Sequence, residues 1–254
     1  MNGTARIVGL YRYPMKGMSP EPVEAAELAP RECIAWDRAF AIENGTADFD
    51  TDAPKHFPKI KFLMLMKNEQ LARLHSRFDE RTAEFSISED GREHVSGNLM
   101  TPEGRGRIEA FLAAYMKTDL RGAPRIVHAP GFTLSDAPAK LVSIINLASI
   151  EALEAEIGRK VDPLRFRANV YVEGLEPWAD HEWVGRHLRL GSARLKGVHL
   201  IQRCAATNVD PVTAERDMEI PATLQRRWAS MDLGLYAEVR EGGTIRPGDR
   251  LELA

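Results

Sequence analysis

The chain has 254 residues, enough to bury one large core or two small ones. Its hydrophobic fraction of 44% and charged fraction of 28% are those of an ordinary globular protein, and a formal net charge of −3 argues against a general nucleic-acid binder. No apolar run approaches the roughly 18 residues needed to span a bilayer, and Met1–Val8 lacks the basic and apolar regions of a secretory signal, so the cytoplasm is the expected compartment.

In chain order, Ile7–Leu10 and Pro22–Leu28 have strand composition, separated by a Pro/Gly/Ser loop that carries Lys16. Ala35–Ile42 alternates as a further strand, with Trp36, Arg38, Phe40 and Ile42 on one side. An arginine on an apolar face either snorkels to solvent or points into a site that needs a cation. Residues 44–58 are polar and rich in Asp, Thr and Pro, the composition of a loop that covers a pocket. Phe62–Met66 reads as a buried strand or the start of a helix. Glu84–Ile87 is a strand that runs into a Glu-Asp-Gly-Arg hairpin turn. Thr101 caps a helix that opens on Pro102, with Ile108, Phe111, Leu112, Tyr115 and Met116 as its apolar stripe. Arg125–His128 is a short strand.

Residues 129–140, with their Pro and Gly, connect two halves, and the expected domains are 1–120 and 121–254. The second half opens with a strand, Leu141–Ile145. Asn146 then caps a helix in which Leu147, Ile150, Leu153 and Ile157 recur at helical spacing, and Gly158 stops it. Strands follow at 168–172, 187–190 and 193–202, a short helix at 221–228, and closing strands at 236–239 and 250–253. Many short strands joined by turns suggest a barrel or a strongly curved sheet.

The strand Leu195–Gln202 runs straight into Arg203 and Cys204, so a thiol stands where a strand ends and a polar loop begins. A neighbouring cation favours thiolate, the form that binds metals and attacks electrophiles. A free cysteine also packs commonly as a small hydrophobe. Cys33 and Cys204 form no Cys-x-x-Cys pair, which excludes a Cys₄ iron–sulfur cluster within the chain, and reducing cytosol disfavours a disulfide between them. His181 and His187 imitate a zinc-protease signature but stand six residues apart instead of four, on different helix faces.

Arg203-Cys204-Ala-Ala-Thr207-Asn-Val-Asp210-Pro211-Val-Thr213 resembles the signature loop of MOSC domains. These are named for the C-terminal part of molybdenum cofactor sulfurase and occur in the mitochondrial amidoxime-reducing component and its bacterial relatives. Tyr11-Arg-Tyr13-Pro14-Met15-Lys16-Gly17 resembles the element that opens the β-barrel module preceding MOSC, and Asp37-Arg38-Ala-Phe40 its Asp-Arg-aromatic strand. Leu164-Arg165-Phe166-Arg167-Ala168-Asn169-Val170 resembles the family's Arg-Phe-Arg-Pro-Asn strand, and Gly243–Asp249 its closing turn. The chain departs at Gly17, where serine is usual, and at Ala168, where proline is common. The resemblance implies a β-rich α+β fold: a MOSC-type β-barrel with an N-terminal β-barrel-like module.

It also implies the molybdenum cofactor, a pyranopterin with a metal-binding dithiolene and an anionic phosphate. Lys16, Arg38, Arg167 and Arg203 would supply cations to it, with Asn169, Thr207 and Asp136 as polar contacts. Cys204 would ligate the metal. Asp210 would orient the loop or bind a substrate cation, or serve only as a turn residue ahead of proline. The implied activity is reduction of small N-oxygenated compounds. With no flavin motif, cluster cysteines or haem signature, electrons would come from an external redox protein. The alternatives are a sulfur carrier with a Cys204 persulfide, and a passive carrier of the cofactor. The family's association with pyridoxal phosphate belongs to a separate lysine-bearing domain, which nothing in this chain resembles.

Overall fold

Alternation of apolar and charged residues governs the strands, and the structure, a computed structural model, describes them over residues 4–45 and 48–254. The first three residues, part of the segment read for a secretory signal, lie outside the described residues, as do Thr46 and Ala47 of the expected pocket-covering loop. The strands are β1 (Ala5–Arg12), β2 (Glu21–Pro22), β3 (Ala26–Leu28), β4 (Phe40–Asn44), β5 (His75–Asp79), β6 (Glu84–Glu89), β7 (Arg92–Asn98) and β8 (Pro124–His128). They continue with β9 (Val142–Asn146), β10 (Val170–Glu173), β11 (His187–Leu190), β12 (Ala193–Gln202), β13 (Asp232–Glu241), β14 (Gly243–Ile245) and β15 (Arg250–Leu253). The α-helices are α1 (Pro102–Met116), α2 (Leu147–Ile157) and α3 (Ile220–Trp228).

Seven strands close into a barrel in the order β10-β9-β13-β12-β11-β15-β1, with β1 pairing back onto β10. All neighbours are antiparallel except β10 and β9. Closure removes the free edges that an open sheet exposes. Ile7, Ile144, Val170, Leu188, Leu195, Leu235 and Val239 fill one buried cluster inside it. Arg6, Arg189 and Arg194 stay exposed and pair with Glu173, Glu252 and Glu241. The barrel thus takes one stave from the start of the chain and six from residues 142–253.

Strand β2 pairs with β1 and β3 with β14, and residues 40–128 form a second layer. Strands β5, β6 and β7 make an antiparallel meander, β4 pairs with β8, and Phe40, Leu74, Phe85, Ile108 and Leu112 share its core. Asp90 (φ 51°) and Gly91 (φ 77°) supply the two left-handed residues of the tight β6–β7 turn. Thr101 Oγ1 accepts from Gly104 N at 3.1 Å and caps α1; Asn146 Oδ1 accepts from Ala148 N at 3.1 Å and caps α2. Gly158, at φ 81°, ends α2. Helices α2 and α3 share a third cluster with Ile150, Leu153, Ile220 and Leu224. The fold is the expected β-rich one, a barrel accompanied by an α+β module.

Three local expectations change. Trp36 and Arg38 take left-handed φ values of 65° and 51°, so 35–39 is a turn and extended backbone begins only at Phe40. Pro22–Leu28 breaks into β2 and β3. Phe62–Met66 is neither strand nor helix but a turn that follows a single bridge to Glu43, although Phe62, Leu63 and Met64 are buried. Strand β5 has no apolar alternation to announce it: of its five residues only Phe78 is buried.

Gly104 lies where α1 meets β7, and a Cβ there would stand 2.0 Å from Asn98 O, whereas one on Gly106 would meet nothing within 4 Å. Gly104→Ala should therefore lower stability by about 2–3 kcal/mol through overpacking. Gly106→Ala, in the same helix, should raise it by about 0.5–1 kcal/mol. Chemical denaturation of the two variants checks both signs.

Candidate functional site

Cys204 stands where β12 ends and the chain tightens into a 3₁₀ turn at 205–208. Thr207 closes that turn, its N and Oγ1 both donating to Cys204 O, at 3.0 and 2.9 Å. Cys204 and Thr207 line a cavity of about 360 Å³ together with Lys16, Arg38, Asp136, Arg167 and Arg203. Folding thus gathers seven of the nine residues singled out above.

The Lys16 loop is zipped against the start of β4. Lys16 N donates to Phe40 O at 2.8 Å, Phe40 N to Pro14 O at 3.0 Å and Arg38 N to Tyr13 O at 2.8 Å. Gly17 follows at φ 85°, and a Cβ there would stand 3.0 Å from Leu63 O, so this turn suits glycine better than the serine usual in the family. Tyr13 is fully buried beneath two guanidiniums: those of Arg38 and Arg167 lie 4.3 and 4.4 Å from its ring centroid. Both arginines hold left-handed backbone, φ 51° and 53°. That conformation costs an L-residue about 1–2 kcal/mol. Such strain clusters at functional positions.

The two arginines differ in how their charge is met. Arg38 Nη1 donates to both oxygens of Asp37, at 2.7 and 2.6 Å. Burial pulls the Arg38 pKa down, the adjacent Asp37 carboxylate pushes it up, and the carboxylate wins. Arg167 donates to Met18 O at 2.6 Å and makes no ion pair among the described residues. Burial lowers its pKa to about 10. Arg203 donates Nε to Leu233 O at 2.7 Å and Nη1 to Phe166 O at 2.9 Å, again with no ion pair among the described residues, and burial lowers its pKa. Its guanidinium is spent on backbone carbonyls beneath the cavity.

The cation at the thiol is instead Lys59. It lines the cavity together with Cys204, and its Nζ lies 3.8 Å from Asp136 Oδ2. Burial lowers the Lys59 pKa, but Cys204 and Asp136 together raise it further. Lys16 Nζ donates to Leu134 O at 2.7 Å and to Asp136 Oδ1 at 2.5 Å. Burial lowers the Lys16 pKa, and the Asp136 carboxylate recovers part of that. For Asp136, burial works upward and Lys16 works downward, with a net fall.

Two of the expected residues stand outside the cavity lining, Asp210 in one of the roles expected for it. Asn169 does not line the cavity. Its Oδ1 accepts from Ser143 N and Oγ at 3.1 and 2.8 Å, and its Nδ2 donates to Tyr11 O at 3.2 Å, so it pins β1 to β9. Asp210 also stands outside the lining. Its Oδ1 accepts from Val212 N and Thr213 N at 2.9 and 2.8 Å, the turn role of an Asp ahead of proline. Its Oδ2 binds Arg165 Nη2 at 2.7 Å. Arg165 also meets Asp217, Nη1 to Oδ1 at 2.8 Å, so Asp210 orients the signature loop through a buried arginine.

Lys59, Arg165 and Tyr13 were not singled out from sequence. Lys59 is one of three lysines in Lys55–Lys61, and nothing local distinguishes it. Tyr13 and Arg165 sit inside the quoted motifs and were findable there.

Asp136 is the one carboxylate among the described lining residues, facing five cations besides Lys16. Two of these, Arg167 and Arg203, lack counter-charges, and Arg165 Nε is buried with no hydrogen-bond partner. Unmet donors and surplus positive charge beside a thiol suit an anionic group with several acceptor oxygens that carries a soft-ligand metal.

That barrel-and-module architecture, with a strand-end thiol among cations, has clear relatives. Residues 132–252 match the MOSC domain, and residues 4–119 match the MOSC N-terminal beta barrel domain. The chain belongs to the MOSC domain family and carries the N-terminal MOSC barrel domain. Among named proteins, mitochondrial amidoxime-reducing component 1 of Mus musculus is 30% identical over 131 residues, 47% of this chain and 37% of its own length. Molybdenum cofactor sulfurase of Caenorhabditis briggsae is 23% identical over 257 residues, 97% of this chain and 35% of its own length. The chain therefore spans little more than a third of these relatives. The solved YUAD protein from Bacillus subtilis aligns over 100% of this chain and 97% of its own, with 12% identity and a TM-score of 0.44. No helix among the described residues is long and apolar enough to cross a membrane.

Arg165 and Arg167 allow a paired test in ligand-free protein. Arg165→Gln strands two carboxylates and should lower stability by about 3 kcal/mol. Arg167→Gln removes a cation that has no acidic partner and should change stability by less than about 1 kcal/mol. Denaturant midpoints of the two apo variants check the contrast.

Proposed function

We propose that the protein is a molybdenum-cofactor oxidoreductase that reduces small N-oxygenated compounds with electrons from an external redox protein. The observation that carries this reading is the surplus of buried positive charge beside Cys204. An apo cavity with two carboxylate-free guanidiniums and an orphaned arginine N–H has the donor set of a phosphate-bearing cofactor. Arg167, Arg203 and Lys16 would hold its anionic parts, Arg38 would set the orientation of Arg167 through its bond to Arg167 O (2.7 Å), and Cys204 Sγ would be the protein ligand of the metal. When bound, the cofactor supplies two-electron oxygen-atom chemistry. Reduction of an amidoxime consumes two electrons and two protons and yields an amidine and water. The chain's share is to bind the substrate, fix the sulfur and limit water access.

The names of the relatives support the cofactor class. We place the activity in the cytoplasm, where the two free thiols would persist. We also propose a functional division near residue 120: the first part brings Lys16, Arg38 and Lys59 to the cavity, the second Arg167, Arg203 and Cys204.

Protein from a cofactor-competent host should contain about one molybdenum and one pterin per chain, measured by metal analysis and fluorescence of the oxidised pterin. Metal- and pterin-free protein from that host would sink the reading and favour a Cys204 persulfide carrier. In loaded protein, Cys204→Ser should abolish reduction of benzamidoxime by a chemical reductant. Burial pushes the Cys33 thiol up to about 11, away from thiolate, and Cys33→Ser should cost only about 1 kcal/mol of stability.

A further inference from the structure

One cation of the cavity makes no hydrogen bond to an oxygen of the described residues. Lys16, Arg38, Arg165, Arg167 and Arg203 all donate to protein oxygens. Lys59 does not: among the described residues its nearest carboxylate oxygen is 3.8 Å away, beyond hydrogen-bond reach. Its side chain is 33% exposed, against 8% for Lys16 and 2% for Arg165, so its ammonium lies toward the open side of the cavity. It also lines the same cavity as Cys204. An ammonium carries three donors, and those of Lys59 make no hydrogen bond to an oxygen of the described residues.

We propose that Lys59 is a specificity-determining residue that donates to the oxygen of the bound N-oxygenated substrate and favours substrates whose oxygen carries negative charge. This rests on the reductase reading above. If Cys204 holds the metal, the substrate oxygen must come to the same place, which is where the Lys59 ammonium is. An N-oxide presents a formally anionic oxygen, whereas an amidoxime presents a neutral hydroxyl. The ammonium meets a negatively charged acceptor in the N-oxide and a neutral one in the amidoxime, so the added Coulombic attraction separates the two classes. Leu65 and Met66 line the same cavity and are part-exposed, which gives the organic body an adaptable apolar surface rather than a second polar anchor.

The test uses loaded full-length protein with a chemical reductant, and pyridine N-oxide and benzamidoxime as paired substrates. Lys59→Met keeps the stem and removes the donors; Lys59→Arg keeps a donor and the charge. Lys59→Met should lower kcat/KM for pyridine N-oxide about tenfold, mostly through KM, while changing benzamidoxime less than about twofold. Lys59→Arg should recover part of the loss. Calorimetric binding of pyridine N-oxide to the oxidised protein should weaken in parallel. Molybdenum content, pterin content and melting temperature should match the unaltered protein. Equal loss for both substrates, or no loss for either, overturns the inference while leaving the reductase reading intact. Loss of molybdenum in Lys59→Met makes Lys59 a cofactor ligand and also overturns it. An unaltered protein that is loaded yet reduces neither compound overturns the reductase reading, and this inference with it.

Discussion

Positive charge that the polypeptide does not itself neutralise is the constraint around which this molecule is arranged. Tyr13 is buried against Arg38 and Arg167, and only Arg38 has a carboxylate at hand. Carbonyl oxygens from Met18, Leu233 and Phe166 satisfy the hydrogen-bond donors of Arg167 and Arg203 but not their charge. An isolated buried ion carries a penalty of several kcal/mol, and dipoles recover only part of it. The downward shift of both arginines expresses that deficit. Any anionic group that binds the native state alone and supplies the missing charge also stabilises it.

The deficit is held open by geometry. The barrel fixes Cys204 at a strand end, where a closed hydrogen-bonded wall leaves little freedom. The N-terminal layer brings Lys16, Arg38 and Lys59 from loops, which would be imprecise if they were not tied down. Arg216 ties them: its Nη1 donates to Ala205 O at 3.2 Å, next to Cys204, and its Nη2 to Leu65 O and Met66 O at 3.2 and 2.8 Å. One guanidinium thus fastens the signature turn to the segment that follows Lys59. Asn169 does similar work between β1 and β9. Residues that a motif presents as cofactor contacts can serve the site indirectly, by holding the frame in which the contacts sit.

Much of the fold was legible because period and punctuation agreed. Thr101-Pro102 and Asn146 marked both long helices, Asp90-Gly91 marked the hairpin, and apolar alternation marked most barrel staves. The failures have a common cause. Ala35–Ile42 alternates like a strand, yet Arg38 must turn back over Tyr13, and that tertiary demand bends 35–39 into left-handed backbone. Strand β5 is held by its neighbour β6 and not by its own composition. At the site, residue types read correctly where chemistry singles them out, as with Cys204. Proximity told only part of the story at Arg203, which lines the cavity with the thiol but donates to the carbonyls of Leu233 and Phe166. Lys59 was invisible because its role arises from a cavity shared across 145 positions of chain, from Lys59 to Cys204.

Arg165 and Arg167 show why composition cannot assign such a site. They lie two residues apart in one motif, and both line the same cavity. A 3₁₀ turn at Pro163–Phe166 followed by the left-handed Arg167 sends them in different directions. Arg165 goes to Asp210 and Asp217, which meet its charge and make it part of the scaffold. Arg167 goes to Tyr13 and the Met18 carbonyl, which do not. Exchanging the two environments would exchange their roles without changing a residue of the motif. What makes a cation available to a ligand here is the absence of an acidic partner, and that is a property of the backbone path rather than of the side chain.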